Sequence, residues 1–319
     1  MHMADALISP AVGGAMWVVS GSLITLCARK LRQSLRDNLV PMMGVLGAFI
    51  FTAQMINFSI PGTGSSGHLG GGLILAILLG PYAAFLVIAS VLTVQALFFA
   101  DGGLLALGCN MFNLGFFPAF VAYPLVYRLM AGARKDTLRA SAAAIAASVA
   151  GLLLGALSVV LETSASGISE LPFGTFVLMM LPIHLAIGVV EGVATAAVVA
   201  FVARARPEAF PTAPAPGTTA RLRPVLLGLA AAAVLVGGVA SWFASTRPDG
   251  LEWSIAKVTG KHEVRGENRS AGEPAPIEPG SWPAVSADTS LAGLVGGAMT
   301  LVVAGLIGLV LRFRPPRQA

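Results

Sequence analysis

The chain has 319 residues, of which 56% are hydrophobic and only 11% charged, with a mean hydropathy of +0.82; soluble domains carry about 25% charged residues. A formal net charge of +5 would suit nucleic acid if it formed one basic face, but the Lys and Arg residues fall in short clusters between apolar runs. That is the pattern of loops that set membrane orientation, so nucleic-acid binding is set aside and an all-α integral membrane protein, in contact with membrane lipid, is expected.

The chain begins MHMADALISP, with no Lys or Arg ahead of the first apolar run. It therefore lacks the basic start of a secretory signal, and the N-terminus is expected to persist in the mature protein. Apolar stretches long enough to cross a bilayer, roughly 17 to 25 residues, follow at about 11–28, 40–58, 82–99, 107–130, 141–162, 173–203, 223–245 and 290–311. A shorter ninth candidate, 69–80, ends at Gly80-Pro81, where proline breaks the helix.

Positive clusters follow four of these spans: Arg29, Lys30, Arg32 and Arg36; Arg128, Arg134, Lys135 and Arg139; Arg204 and Arg206; Arg312 and Arg314. All four share the cytoplasmic side only if 69–80 counts as a crossing. The expectation is a multi-pass protein of the cell (inner) membrane with its N-terminus outside and its C-terminus cytoplasmic. His2, the loop Ile60-Pro61-Gly62-Thr63-Gly64-Ser65-Ser66-Gly67-His68 and the loop Asp101-Gly102-Gly103 then all emerge on the outer face. Cys27 and Cys109 should lie near opposite ends of their helices, which disfavours a disulfide and leaves them as buried packing residues.

After Arg206 a Pro/Ala/Thr-rich stretch marks a boundary. The division expected is a membrane domain over 1–206, a cytoplasmic linker over 207–222, and a two-helix transmembrane hairpin over 223–319. Between the hairpin helices lies a polar outer loop, 246–289, whose Pro, Gly and charge content predicts loose order.

Met1 and His2 carry the most specific chemistry. The free α-amine of Met1, the backbone nitrogen of His2 and Nδ1 of its ring can close a five-membered and a six-membered chelate ring in one plane. Amide nitrogens bind only metals that gain strongly from in-plane nitrogen donors, and tetragonal nitrogen sites suit Ni(II) or Cu(II). Three of four positions are then filled, and His68, in a Gly/Ser loop on the same face, is the natural fourth donor. Because the amine and ring must be deprotonated, affinity should fall with pH. The competing reading makes His2 an unremarked residue of an exposed terminus.

Four segments, MHMADALISP, GSSGHLGGGLILAILLGP, QALFFADGGLLALGCNMFN and HLAIGVVEG, resemble the substrate-specific membrane component of nickel and cobalt energy-coupling-factor transporters, the NikM/CbiM type, over about residues 1–205. The hairpin, with PDGLEWS beyond its first helix, resembles the small auxiliary N component of these systems. The resemblance implies a bundle of about seven helices plus the hairpin, a capture subunit whose metal ligands are Met1, His2 and His68, and partners comprising a transmembrane coupling component and ATP-binding subunits. No GxxxxGK[ST] phosphate loop occurs in this chain, in keeping with ATP hydrolysis on other subunits. Some cobalt-type relatives carry AHGG where this chain has Ala100-Asp101-Gly102-Gly103; the aspartate and the fused hairpin favour Ni(II), with Co(II) the alternative substrate.

Further polar residues surround this expected centre. His184 and Glu191 share a helical face, either as a packing pair or as supports of the inserted N-terminus. Asp5, Asn57, Ser65, Ser66 and Asp101 read as residues around the metal rather than ligands, or as caps and turns, with Asp5 capping the helix that follows it. Ala143, Ala147, Gly151 and Gly155 form a small-residue ladder suited to close packing inside the bundle or to docking a partner. His262 and Glu263 of the outer loop read as solvated or as metal collectors, and Asn268-Arg269-Ser270 fits a glycosylation acceptor.

Two other classes compete. Gly64-Ser65-Ser66-Gly67 matches the GxSG pattern of rhomboid intramembrane proteases, with Ser66 as nucleophile and His184 as base. It sits in a loop after Pro-Gly-Thr, however, and leaves Met1 and His2 without a role. An ion-coupled transporter would need several buried carboxylates, and only Glu191 qualifies clearly from sequence.

Overall fold

The computed structural model describes residues 2–34, 36, 38–132, 137–168, 171–205, 210, 219–259 and 285–312. Helices dominate: α1 (Pro10–Ser34), α2 (Leu39–Gln54), α3 (Gly72–Leu79), α4 (Pro81–Phe98), α5 (Leu107–Ala131), α6 (Thr137–Ser166), α7 (Phe173–Ala205), α8 (Thr219–Gly238), α9 (Gly250–Thr259) and α10 (Val285–Arg312). Six of them are long and apolar enough to cross a membrane, and α2 and α8 are shorter apolar helices. Among the described residues the sheet consists of one antiparallel pair, β1 (Phe58–Ser59) with β2 (Ser66–Gly67). The protein is an all-α membrane protein, as the composition requires.

The short ninth span is the informative departure. Eight residues of α3 rise only about 12 Å, against a hydrocarbon core of about 30 Å. Polar side chains fix how it runs. Gln54 Nε2 at the end of α2 donates to the Gly70 carbonyl just ahead of α3 (2.7 Å), and Gln95 Nε2 near the end of α4 donates to Gln54 Oε1 (2.9 Å). The start of α3 therefore lies beside the end of α4, the two run antiparallel, and Gly80-Pro81 turns at the far end. Much of the distance is covered by the buried, non-helical stretch 66–71, which folds into the bundle. Irregular backbone at such depth is tolerated where protein satisfies its polar groups. Here the Glu191 carboxylate does so, accepting from Gly70 N–H (2.6 Å) and Gly71 N–H (3.2 Å).

The small-residue ladder packs within the bundle: Ala143 and Ala147 are fully buried, and Gly151 abuts Ala122 and Pro118 of α5. On the other side of α6, a Cβ added at Gly188 of α7 would lie 2.8 Å from Val149 Cα. One added at Gly192 would collide with Ile145. By contrast, α1 leaves Trp17, Val18, Val19 and Leu26 exposed, the apolar surface of a helix that faces lipid.

The hairpin is integrated with the bundle. Helices α8 and α10 pack on each other and on α2, whereas α9 reaches across to α7. The start of the outer loop is thus ordered rather than loose, because Asp249 and Glu252 form a reciprocal cap on α9: Glu252 N–H donates to Asp249 Oδ1 (2.8 Å) and Asp249 N–H to Glu252 Oε2 (3.2 Å). His262, Glu263 and Asn268 lie outside the described residues, as do Arg134, Lys135, Arg206 and Arg314. Cys27 and Cys109 are buried and free.

Candidate metal centre

The N-terminal segment is threaded into the bundle by a two-way clamp. Met3 N–H donates to Asn110 Oδ1 (2.8 Å), while Asn110 Nδ2 and Gly103 N–H donate to the Met3 carbonyl (3.2 and 2.9 Å). The Met3 side chain is fully buried. Asp5 accepts from Ala106 N–H at the head of α5 (3.0 Å). It therefore caps α5 and not the helix that follows it, because residues 5–7 form a single 3-10 turn laid over the 103–106 loop. Close approach explains Gly103: a Cβ there would collide with the Asp5 carboxyl and backbone nitrogen.

This threading inserts His2, whose side chain is only 5% exposed. Its ring stacks on His68, with centroids 4.9 Å apart and planes inclined by 11°. Nδ1 of His2 lies 2.9 Å from Asp101 Oδ1, and Nε2 is buried without a partner. The Nδ1 expected to chelate thus faces a carboxylate in this conformation. His68 presents the complementary preparation: its Nδ1 faces the Leu69 carbonyl (3.1 Å), which can only accept, so the proton sits there and Nε2 carries a lone pair. Burial pushes the His68 pKa down to about 3, so the ring is neutral at working pH. For Asp101, burial alone would raise the pKa, but the charge and hydrogen bond of His2 outweigh it and hold the carboxyl below its ordinary range.

The remaining expected residues support this pair in specific ways. Glu191 anchors the backbone just beyond His68, as described above. His184 bonds to the Met180 carbonyl through Nδ1 (2.8 Å), and its Nε2 is buried without a partner. His184 and Glu191 therefore serve different neighbours instead of pairing. Ser65 is a turn residue bonded to Thr63 (2.8 Å). Asn57 and Ser66 join the hairpin: Ser245 N–H donates to the Asn57 carbonyl (2.7 Å), Ser66 N–H to the Pro248 carbonyl (2.8 Å), and the Ser66 hydroxyl to the Arg247 carbonyl (2.7 Å). The Ser66 hydroxyl donates to backbone carbonyls and His184 Nδ1 bonds to the Met180 carbonyl, so the two are not hydrogen-bonded as a nucleophile and its base through these atoms. Met1 lies outside the described residues.

Sequence reading missed three groups. Asn110, mid-apolar in GCNMFN, gave no signal. Asp249 was legible as a helix start through the Asp-x-x-Glu capping pattern, yet its place beside His68 and His184, in one small cavity with Gly67, Ile187 and Gly250, was not. Glu162 is a second buried carboxylate, 7% exposed and bonded to Asn113 Nδ2 (2.7 Å), so Glu191 is not alone. Among the described residues no three His, Cys, Asp or Glu side chains converge as a metal centre.

Residues 2–209 match the family CbiM, described as a cobalt uptake substrate-specific transmembrane region. The chain belongs to the CbiM family. Residues 223–313 match the PDGLE domain. A protein of Archaeoglobus fulgidus named as a fused nickel transport protein NikMN is 36% identical over 318 residues, covering 98% of this chain and 95% of the relative. The fused nickel transport protein NikMN of Rhodobacter capsulatus is 30% identical, covering 98% and 94%. The cobalt transport protein CbiM of Geobacter sulfurreducens is 31% identical over 218 residues, covering 65% of this chain and 61% of the relative. A crystal structure of a truncated transition metal transporter superposes with a TM-score of 0.56 at 31% identity, covering 64% of this chain and 99% of that one. This CbiM protein, with its PDGLE region, is accordingly a fused NikM/CbiM-type membrane component of nickel or cobalt transport.

Proposed function

We propose that this CbiM protein captures Ni(II) at the outer face through the Met1 amine, the backbone nitrogen and ring of His2, and Nε2 of His68. It passes the ion inward when a transmembrane coupling component and ATP-binding subunits act on the bundle. The observation that carries the reading is the buried stack of His2 on His68, with the His68 tautomer fixed so that Nε2 is a donor. On loading, His2 Nδ1 exchanges Asp101 for the metal, and the Asp101 carboxylate stays as a counter-charge. Residues 1–206 hold the ion, 207–222 tether, and 223–319 brace the site from the outer side.

Nickel is favoured over cobalt by the planar nitrogen set, which suits Ni(II), and by the full-length relatives named for nickel. The test is insertion of one alanine between Met1 and His2, which keeps every side chain and shifts the chelate ring by one residue. A second backbone nitrogen then fills the position proposed for His68, so the expected results are loss of nickel uptake in cells carrying the partner subunits and a bound metal that no longer depends on His68. Unchanged uptake, with bound metal that still depends on His68, overturns the reading. Competition between Ni(II) and Co(II) for the parent protein decides the substrate, and a preference for Co(II) overturns the nickel assignment.

A further inference from the structure

A buried polar set between α5 and α6 leads to the N-terminal segment. Cys109 and Asn113 stand one helical turn apart on α5. Both reach the Glu162 carboxylate of α6: Asn113 Nδ2 donates to Oε2 (2.7 Å), and the Cys109 thiol is hydrogen-bonded to the same group. The Ser158 hydroxyl donates to the other oxygen, Oε1 (3.3 Å). The Asn113 amide nitrogen has a second hydrogen, and its partner is the thioether of Met3, with Nδ2 3.8 Å from Sδ.

The amide is held in this orientation at a cost. Its Oδ1 is buried without a partner, and an unsatisfied buried acceptor costs about 1–3 kcal/mol. Turned over, the amide would set its oxygen against a carboxylate and against a sulfur that has no hydrogen to give. Glu162, taking hydrogen bonds from three donors, therefore decides which end of Asn113 meets Met3. The Met3 side chain is fully buried, and its backbone is clamped by Asn110 on the same helix. Leucine would fill the same space, but only the thioether accepts a hydrogen bond. Because Met3 directly follows His2, the seat of its side chain sets how far the chelate is drawn into the bundle.

We infer that Glu162 is a positioning residue of the metal centre: it orients Asn113 so that the amide seats Met3, and the seated Met3 holds His2 at the depth where its ring meets His68. For the identity of the metal ligands the inference rests on the chelate reading above. It gives a use to a carboxylate whose burial in an apolar bundle is costly. The two sides of the His2–His68 pair are then held by separate buried carboxylates, Glu191 for the backbone beyond His68 and Glu162 for the side chain beyond His2.

The experiment is titration of the purified full-length protein with nickel chloride, with thermal unfolding measured alongside. Glu162→Leu is expected to weaken nickel binding about tenfold or more, as for other groups that orient a metal ligand without touching the metal. Met3→Leu keeps the packing volume and should weaken binding by a similar factor. The double variant should bind little more weakly than either single one, because both changes remove the same seat. Glu162→Gln still offers an oxygen to Asn113 and should recover most of the loss. A carboxylate that only pins α6 to α5 would instead lower the unfolding temperature and add its effect to that of Met3→Leu. Ser166→Ala is the control, since that hydroxyl bonds the Glu162 backbone carbonyl and not the carboxylate, and it should bind nickel as the parent does. Parent-like affinity in Glu162→Leu, or additive losses in the double variant, overturns the inference. Should Glu162→Leu fail to fold, the decision passes to Met3→Leu and Asn113→Leu, whose losses are expected to overlap and whose additivity overturns it. Unchanged affinity in His68→Ala defeats the chelate reading, whereas a His68-dependent site with parent-like Glu162→Leu defeats this inference alone.

Discussion

The His2 and His68 rings lie parallel at 4.9 Å in a buried site, although one belongs to the N-terminal segment and the other to the stretch before α3. Replacing His68 by Ala removes the proposed fourth donor while leaving the Glu191 anchor on Gly70 and Gly71 in place. Nickel affinity is expected to fall by about two orders of magnitude or more, as for loss of a ligand whose supporting contacts alone are worth about 10–100-fold. Titration calorimetry on the purified protein measures it. Affinity within threefold of the parent removes His68 from the ligand set.

Acid sensitivity has a predictable sign. The His68 pKa is lowered to about 3 in the folded protein, against about 6.5 in an unfolded chain. Between these values the unfolded state binds a proton that the folded state excludes, so stability falls as pH drops through about 6.5 and keeps falling toward 3. The slope is at most about 1.4 kcal/mol per pH unit from this group. Asp101 acts elsewhere: its folded pKa is depressed, so its contribution is complete above the unfolded value of about 3.9 and is lost only below it. Thermal unfolding from pH 7.5 to 5 should therefore show a decline in the parent that His68→Gln reduces and Asp101→Asn does not. Equal declines in all three proteins would contradict the assignment.

Much of this arrangement was legible in the residues, and the rest was hidden for definable reasons. Hydropathy located the helices because each spanning segment must satisfy its own backbone, and charge placement led to the expectation that the short 69–80 segment crosses. Its true form, eight helical residues after a buried irregular stretch, depends on Gln54, Gln95 and Glu191 meeting from three other helices. No local pattern encodes that. The proximity of His2, His68 and Asp101 followed from parity together with chelate chemistry. Asn110 was invisible because one amide in an apolar helix looks like tolerated polarity until Met3 is laid across it. The reach of Asp249 into the site was hidden because it depends on how a separate sequence region docks.

Glu191 can be tested as the anchor of the His68 stretch. Its carboxylate accepts two buried N–H groups, whereas glutamine offers one acceptor oxygen and turns an N–H₂ toward the other donor. Glu191→Gln is expected to cost about 1–3 kcal/mol, the penalty of one unsatisfied buried donor, and Glu191→Leu more, because both donors lose their partner. Metal affinity should fall in the same order, since the backbone beyond His68 loosens in step. Thermal unfolding in detergent and metal titration test the ranking. If the leucine variant matches the parent in both, the carboxylate is not holding the loop.

The threading of the N-terminus can be challenged without removing a polar group. At Gly103 a Cβ would collide with the Asp5 carboxyl and backbone nitrogen, both on the segment that carries His2 into the bundle. Gly103→Ala should therefore push residues 2–5 off the 101–106 loop, break the Gly103 N–H bond to the Met3 carbonyl and strip the site of metal. The spanning helices should persist, because none packs through this position. Gly14→Ala on α1 is the matched control: nothing lies within 4 Å of its added Cβ, and alanine for glycine inside a helix gains about 0.5–1 kcal/mol. Metal content should drop at least tenfold in Gly103→Ala and stay unchanged in Gly14→Ala, with similar circular dichroism for both. Full metal content in Gly103→Ala would mean that His2 reaches the metal by some path other than over the 103–106 loop.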